Sequence, residues 1–348
     1  MPGHRISFNA LALRPGGSGV QTYVRELLGA LSTATGTPLV AHVQDDAAGE
    51  LPASVEAVRH PVSSGARRAL AGLTMRPGPG LLHGLDVDLP LRTEGPLVIT
   101  VHDLSVFDVP WAHGGVRARG ERLLVSRAVR RADEIIAVSN FTAERIAALF
   151  GRSSTVTHLA AGPEMSPPDA AEVERVRRHY DLPARSVLYL GNVEPRKRVD
   201  LLAAACERAG VSLLVGGAVA PGVSVPASAR PLGYVPAADL PGLYAAADCV
   251  AYASVYEGFG LPPVEAMACG AAVVTTRVGA LPDVVGDGAR LVPADEEHLL
   301  VDALREVVCD AGTNAGLRSA GVDAAARLRW HDTAAQTLSV YRRLDVPC

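Results

Sequence analysis

Residues Cys249–Thr275 read CVAYASVYEGFGLPPVEAMACGAAVVT. A short apolar run, Cys249–Ala253, leads into a glycine-bearing loop. A helical stretch, Pro262–Cys269, follows, and then a second apolar run, Ala272–Thr275. Pro262 suits the first turn of a helix and Gly270 its end. Near-continuous apolar strands separated by a helix point to a parallel sheet covered on both faces.

The same rhythm extends outward in both directions. Val187–Leu190 and Val211–Val215 read as strands around a helix at Val199–Ala209. In the first half, Arg5–Leu11, Pro38–Val43, Leu97–Val101, Glu134–Val138 and Thr155–Leu159 read as strands. Val20–Leu31, Arg117–Arg131 and Thr142–Phe150 read as helices. The fold class is therefore α/β, with two doubly wound, mainly parallel sheets. A chain of 348 residues fits two domains of about 150 residues each. The join is expected in the Pro- and Ala-rich run Ala160–Ala171, giving domains at residues 1–165 and 166–328. The last segment, residues 329–348, contains a helix at Trp330–Leu344 expected to pack back on the first domain. Ligands of such sheets bind at the carboxyl ends of the strands, so two such domains facing each other would make a cleft.

Composition excludes several classes. Lys+Arg is 33 and Asp+Glu 37, a net charge of −4, against a nucleic-acid binder. Aromatic residues are only 4%, too few for a base-stacking surface. The five Cys include no Cys-x-x-Cys pair, so neither a disulfide scaffold nor a zinc site is expected. A reducing cytoplasm is the expected setting, with the protein free or peripheral on the inner membrane face. The N-terminus shows no basic start and apolar core, so no signal peptide is expected. Gly and Pro interrupt every long uncharged stretch, so no membrane span is expected either.

Within Tyr256–Gly270, Gly258 and Gly260 let backbone approach a ligand closely, and the N–H groups of a helix start form an anion site. Glu257 and Glu265, eight residues apart, would grip sugar or ribose hydroxyls. Glu265 is placed in the first turn, where the helix dipole favours a carboxylate. A second group, Gly191-Asn192-Val193-Glu194-Pro195-Arg196-Lys197-Arg198, follows a strand and sets three cations at its end, on a surface turn. Lys197 is the chain's one lysine, which suggests a place where a compact ammonium is needed and a guanidinium fork will not serve. The loop Arg14–Tyr23 holds Gly16, Gly17 and Gly19 between strand and helix. It lacks Gly-Lys-Ser/Thr and so is no Walker loop. His102 and Asp103 end a buried strand, where His102 would exchange a proton with a substrate hydroxyl. His83 is a similar but weaker candidate.

Asp86-Val87-Asp88 has the spacing of a divalent-metal pair, but no third ligand is evident and no metal is expected. Six arginines on Arg117–Arg131 read first as a solvated helix face. Contact with an anionic membrane or a phosphorylated acceptor is the alternative.

Together these residues resemble glycosyltransferase family 4, which uses nucleotide sugars and has the GT-B architecture of two facing Rossmann-like domains. The resemblance covers essentially the whole chain. It rests on the Gly-rich first loop, the His102-Asp103 strand end and the Ala132–Ser139 stretch. The Glu194-Pro195-Arg196-Lys197 turn and, most specifically, the Glu257-x7-Glu265 loop complete it. It implies a retaining, metal-independent hexosyl transfer from a nucleoside diphosphate sugar to an acceptor hydroxyl, with no cofactor. Lys197 and Arg196 would clamp the donor diphosphate, Glu257 the donor sugar and Glu265 the ribose. The backbone of Gly258, Phe259, Gly260 and Leu261 would touch sugar and phosphate. His102 would face the reacting centre, and Gly17, Gly19 and Val20 would border the donor phosphate. Gln21, His83 and Asp103 are the acceptor-side candidates; a glycan, a lipid-linked sugar or a natural product would be the acceptor. Acceptor contacts are expected in loops such as Ser63–Pro79 and Phe107–Gly115. One position departs from the family: Asn192 stands where many members carry a diphosphate-binding Arg. Either Arg196 takes that role or the phosphate grip is weaker. The Gly-x-x-Glu-Pro-Arg-Lys form is familiar among mannosyl- and other hexosyltransferases, which points to GDP-mannose. A nucleotide-sugar epimerase, a glycan phosphorylase or a non-catalytic sugar-nucleotide-binding protein is the alternative on a similar frame.

Overall fold

The computed structural model of the protein describes residues 5–16 and 19–346. The chain forms two compact units. One contains the residues up to Leu159 together with those from Arg329 onward; the other is Ala160–Leu328.

The sheet of the first unit has seven strands: β1 (Ile6–Asn9), β2 (Leu39–Gln44), β3 (Val55–His60), β4 (Leu81–Gly84), β5 (Leu97–Val101), β6 (Glu134–Ala137) and β7 (Thr155–Val156). Their order is β3-β2-β1-β4-β5-β6-β7, and every pairing is parallel. Ile6 pairs with Leu39 on one side and Leu81 on the other. The chain therefore reverses its direction of travel across the sheet between β1 and β4, and the loops leaving their carboxyl ends form a switch point. Two strands are shorter than their apolar runs suggest: Arg5–Leu11 yields Ile6–Asn9, and Thr155–Leu159 yields Thr155–Val156. The Ser63–Pro79 stretch is not a bare loop but carries a helix at Gly65–Thr74. Helix Gly115–Arg131 buries Val125, Ala128 and Val129 in one core with Leu97, Ile99 and Ile135 of the neighbouring strands.

The second unit has six strands: β8 (Ser186–Leu190), β9 (Ser212–Gly216), β10 (Ala229–Gly233), β11 (Cys249–Tyr252), β12 (Val273–Thr276) and β13 (Arg290–Val292). Their order is β10-β9-β8-β11-β12-β13, again all parallel. Its switch point lies between β8 and β11, adjacent in the sheet though distant in sequence.

The C-terminal helix, Trp330–Arg342, packs against helix Val20–Ala34 of the first unit. Its inner stripe includes Thr333, Ala334, Thr337, Leu338 and Tyr341. Tyr341 Oη lies 2.6 Å from His83 Nδ1, and His83 Nε2 lies 2.9 Å from Thr100 Oγ1. Thr100 Oγ1 in turn lies 2.7 Å from Tyr23 Oη. His83 is fully buried. Burial, with His102 adding to it, pulls its pKa from 6.5 down to about 3. Unfolded, this imidazole takes a proton near pH 6.5; folded, only near pH 3. Acidification through that window draws protons to the unfolded chain, so stability falls. His42, lowered to about 4 chiefly by burial, acts with the same sign. The melting temperature is expected to drop from pH 6.5 toward pH 4. The slope should be shallower in His83→Gln, and equal slopes would remove His83 from the explanation.

Candidate functional site

The second switch point brings together the two motifs that the sequence holds sixty residues apart. After β8, Gly191 adopts φ +147°, and a Cβ on the facing Gly217 would sit 2.2 Å from the Gly191 carbonyl oxygen. Only glycines allow these two strand ends to approach so closely. The chain then makes a tight turn at Pro195–Lys197 and enters helix Val199–Ala209. After β11, the segment Ala253–Gly260 leads into helix Leu261–Ala268. The backbone N–H of Val255 donates to the Arg196 carbonyl at 2.9 Å, tying the two loops together.

Their side chains form one charged cluster. Lys197 Nζ donates to Glu257 Oε1 at 2.6 Å, and Ser254 Oγ donates to the same oxygen at 2.7 Å. Arg196 Nη1 lies 3.6 Å from Glu257 Oε2. The Arg196 Nε donates to Glu194 at 3.1 Å and its Nη1 to the Tyr256 carbonyl at 3.1 Å. The side chains of Lys197 and Glu257 are only 13% and 8% exposed, so Lys197 is not a solvated surface lysine, as its place on a turn suggests. Burial pulls its ammonium below the usual lysine range, with Glu257 opposing the shift. Burial pushes Glu257 up, but Lys197 and Arg196 outweigh it and hold the carboxyl below its usual range, ionised at neutral pH.

Glycines shape the loop that follows. Gly260 adopts φ +97°, and a Cβ there would meet Leu281 Cδ2 at 2.4 Å. Gly279 brings its chain against Glu257: a Cβ would meet the Glu257 carbonyl oxygen at 2.2 Å, and Ala280 N–H donates to that oxygen at 3.0 Å. Helix Leu261–Ala268 carries Pro262 in its first turn and has no side-chain cap. Glu265 lies beyond its first turn, so the expected dipole contact at the helix start does not apply. The residue is buried near Tyr244 and Tyr252, whose ionisation is opposed first by burial and further by this carboxyl. Gly258, Phe259 and Leu261 complete the loop, with Phe259 and Leu261 buried. Asn192 is exposed; its carbonyl accepts from Tyr189 Oη at 2.7 Å. Sequence reading missed Ser254 and Gly279. A hydroxyl three residues before Glu257 was the available signal for the first; the second shows only in the packing.

In the first unit, Gly17 lies outside the described residues. Gly19, at φ +66°, precedes helix Val20–Ala34, which lacks a side-chain cap. Gln21 Nε2 donates to the Ala12 carbonyl at 3.3 Å. His102 Nε2 lies 2.9 Å from the Leu85 carbonyl oxygen. A carbonyl only accepts, so Nε2 carries the proton and Nδ1 is the acceptor of the neutral ring. The ring stands edge-on to Tyr23, with centroids 4.7 Å apart. Asp103 Oδ1 accepts from the backbone N–H and the hydroxyl of Ser105, at 2.9 and 2.7 Å, and so fixes the short helix Ser105–Asp108. The candidate acceptor role of His83 is corrected: both ring nitrogens are engaged in the core. Asp86 and Asp88 close on Arg68, at 3.6 and 3.1 Å. Among the described residues, no group of three or more His, Cys, Asp or Glu could hold a metal ion.

Residues 17–160 match the family model for Glycosyltransferase Family 4, and residues 184–310 that for glycosyl transferases group 1. O-antigen chain mannosyltransferase B of Escherichia coli is 33% identical over 286 residues, 76% of this chain and 74% of that protein. Sucrose-phosphate synthase from Thermosynechococcus elongatus superposes with a TM-score of 0.78 at 22% identity, covering 98% of this chain and 99% of that one. Anabaena HepE, solved in complex with UDP and glucose, gives a TM-score of 0.73 at 19% identity, covering 99% of this chain and 100% of that one.

Proposed function

This chain belongs to the group 1 glycosyltransferases of family 4, with the GT-B fold, and on that premise we propose that it moves a hexosyl group from a nucleoside diphosphate sugar to an acceptor hydroxyl with retention. The observation that carries the donor assignment is the Lys197–Glu257 contact across the second switch point. Carboxyl-end switch points are where open α/β sheets bind ligands. A buried ammonium and a neighbouring guanidinium, fixed by protein carboxylates, are counter-charges already oriented before the reaction begins. As the bond between the anomeric carbon and the diphosphate oxygen breaks, its electron pair stays on the diphosphate. Lys197 and Arg196 stabilise the charge that gathers there, and the acceptor oxygen bonds to the anomeric carbon on the same face as its hydroxyl proton passes to the departing diphosphate oxygen. Glu257 holds sugar hydroxyls and Glu265 the ribose. Gly258–Leu261 presents backbone to the sugar and phosphate. His102, with its acceptor Nδ1, takes part at the reacting centre.

GDP-mannose is the proposed donor. The Gly-x-x-Glu-Pro-Arg-Lys form supports it, as does the mannosyltransferase named among the relatives. Glycan, lipid-linked and natural-product hydroxyls are the proposed acceptor classes. No metal takes part in this reading, because Asp86 and Asp88 already enclose a guanidinium. The test is slow donor hydrolysis without acceptor, read as nucleoside diphosphate released. GDP release from GDP-mannose is expected to exceed UDP release from UDP-glucose and to be unchanged by EDTA. Equal or greater release from UDP-glucose would overturn the donor assignment. Activity lost to EDTA and restored by Mn²⁺ or Mg²⁺ would overturn the metal-free reading.

A further inference from the structure

His102 offers an acceptor Nδ1 just past the end of β5, and its use at the reacting centre depends on where that lone pair points. The bond from Nε2 to the Leu85 carbonyl, at 2.9 Å, fixes one point of the ring but not its plane. The plane is set by Tyr23. The two rings meet at 82° with centroids 4.7 Å apart, the edge-to-face arrangement that ring quadrupoles favour. Tyr23 is fully buried in helix Val20–Ala34. Burial pushes its phenol far above the usual tyrosine value, so at neutral pH it stays protonated and exchanges no proton with substrate.

The C-terminal helix braces Tyr23 from two sides. Trp330, its first residue, sets its indole beside the phenol ring, with centroids 6.1 Å apart. Tyr341 lies about three turns further along the same face of that helix. It reaches the phenol hydroxyl through His83 and Thr100, by successive contacts of 2.6, 2.9 and 2.7 Å. Thr100 belongs to the strand that leads into His102. A reacting group keeps its geometry when the residues around it are themselves locked by packing and hydrogen bonds. We propose that Tyr23, braced by Trp330 and Tyr341, is a positioning residue that aims the His102 Nδ1 at the reacting centre without touching substrate itself. The helix that returns to the first unit thereby acts on the reaction as well as on the fold. The inference rests on the role of His102 proposed above.

The test follows GDP release from GDP-mannose by the full-length protein, beside denaturant unfolding of each variant. Tyr23→Phe keeps the ring against His102 and loses the bond to Thr100. It is expected to be less stable, yet to hold kcat within about threefold of wild type. Tyr23→Leu keeps apolar bulk but removes the aromatic face. It should lower kcat roughly 10²-fold, the loss that a displacement of about 1 Å brings, with little change in KM. In a His102→Ala background the same change should cost nothing further, because its effect passes through His102. Trp330→Leu, at a half-buried position, should give a smaller loss of the same kind, and keeps the test open if Tyr23→Leu does not fold. Wild-type kcat in both Tyr23→Leu and Trp330→Leu would overturn the proposal. So would a Tyr23→Phe variant as slow as Tyr23→Leu, or a further drop in the His102→Ala background. Wild-type kcat in His102→Ala would overturn the reading of His102 itself, and the proposal with it.

Discussion

Lys197→Ala is expected to lower transfer by roughly 10²–10³-fold, the usual effect of removing one preorganised charge from a developing anion. It should also destabilise the protein, because Glu257 would remain buried with Ser254 at 2.7 Å and Arg196 only at 3.6 Å. Removing one partner of a buried ion pair costs about 3–5 kcal/mol. Residual Arg196 contact puts the expected loss at the lower end. Kinetics and denaturant unfolding of the same preparation check both halves. Full stability with lost activity would place Lys197 outside the buried cluster, and full activity would remove it from the reaction. Lys197→Arg is the sharper kinetic test. Arg196 already fills the adjoining space with a guanidinium bonded to Glu194 and the Tyr256 carbonyl. A second fork there is expected to fold but to transfer poorly.

The second large effect separates stability from chemistry. Glu257→Ala leaves Lys197 and Arg196 with Glu194 as the remaining carboxylate of the cluster, and should cost about 3–5 kcal/mol. The Glu257 carboxyl is held below 4.5, so its contribution is present at neutral pH and is lost as pH falls below that value. Lys197→Met/Glu257→Leu removes both charges and restores apolar volume. Replacing a whole buried pair in this way is often neutral or stabilising. The double variant should therefore recover most of the stability that either single change loses, yet remain inactive. A double variant as unstable as the singles would show that the two residues support the fold independently.

The architecture was legible because both sheets are parallel and covered, which makes central strands such as Leu97–Val101 and Val187–Leu190 continuous apolar runs. Three of the four edge strands were not. β3, VEAVRH, alternates with charge, β10 contains Pro231, and β13 is only three residues long. The donor-side residues were legible as motifs, but their relation was not. No sequence spacing shows that β8 and β11 are neighbours, and only that adjacency places Lys197 against Glu257. His83 was misjudged for a related reason. It lies one residue before the end of β4, as His102 lies one residue past the end of β5, but the C-terminal helix brings Tyr341 onto it across 258 residues of sequence.

The most direct test of the Lys197–Glu257 pair as the donor site is a thermal-shift comparison of wild type and the Lys197→Met/Glu257→Leu variant with GDP, UDP, dTDP and ADP, each with and without EDTA. A ligand at a hundred times its dissociation constant adds about 2.7 kcal/mol. For a unit of this size that is a rise of about 5–10 °C. The account predicts such a rise in wild type for one nucleotide above the others, insensitive to EDTA and absent in the double variant. No rise with any nucleotide, or an equal rise in the double variant, would contradict it.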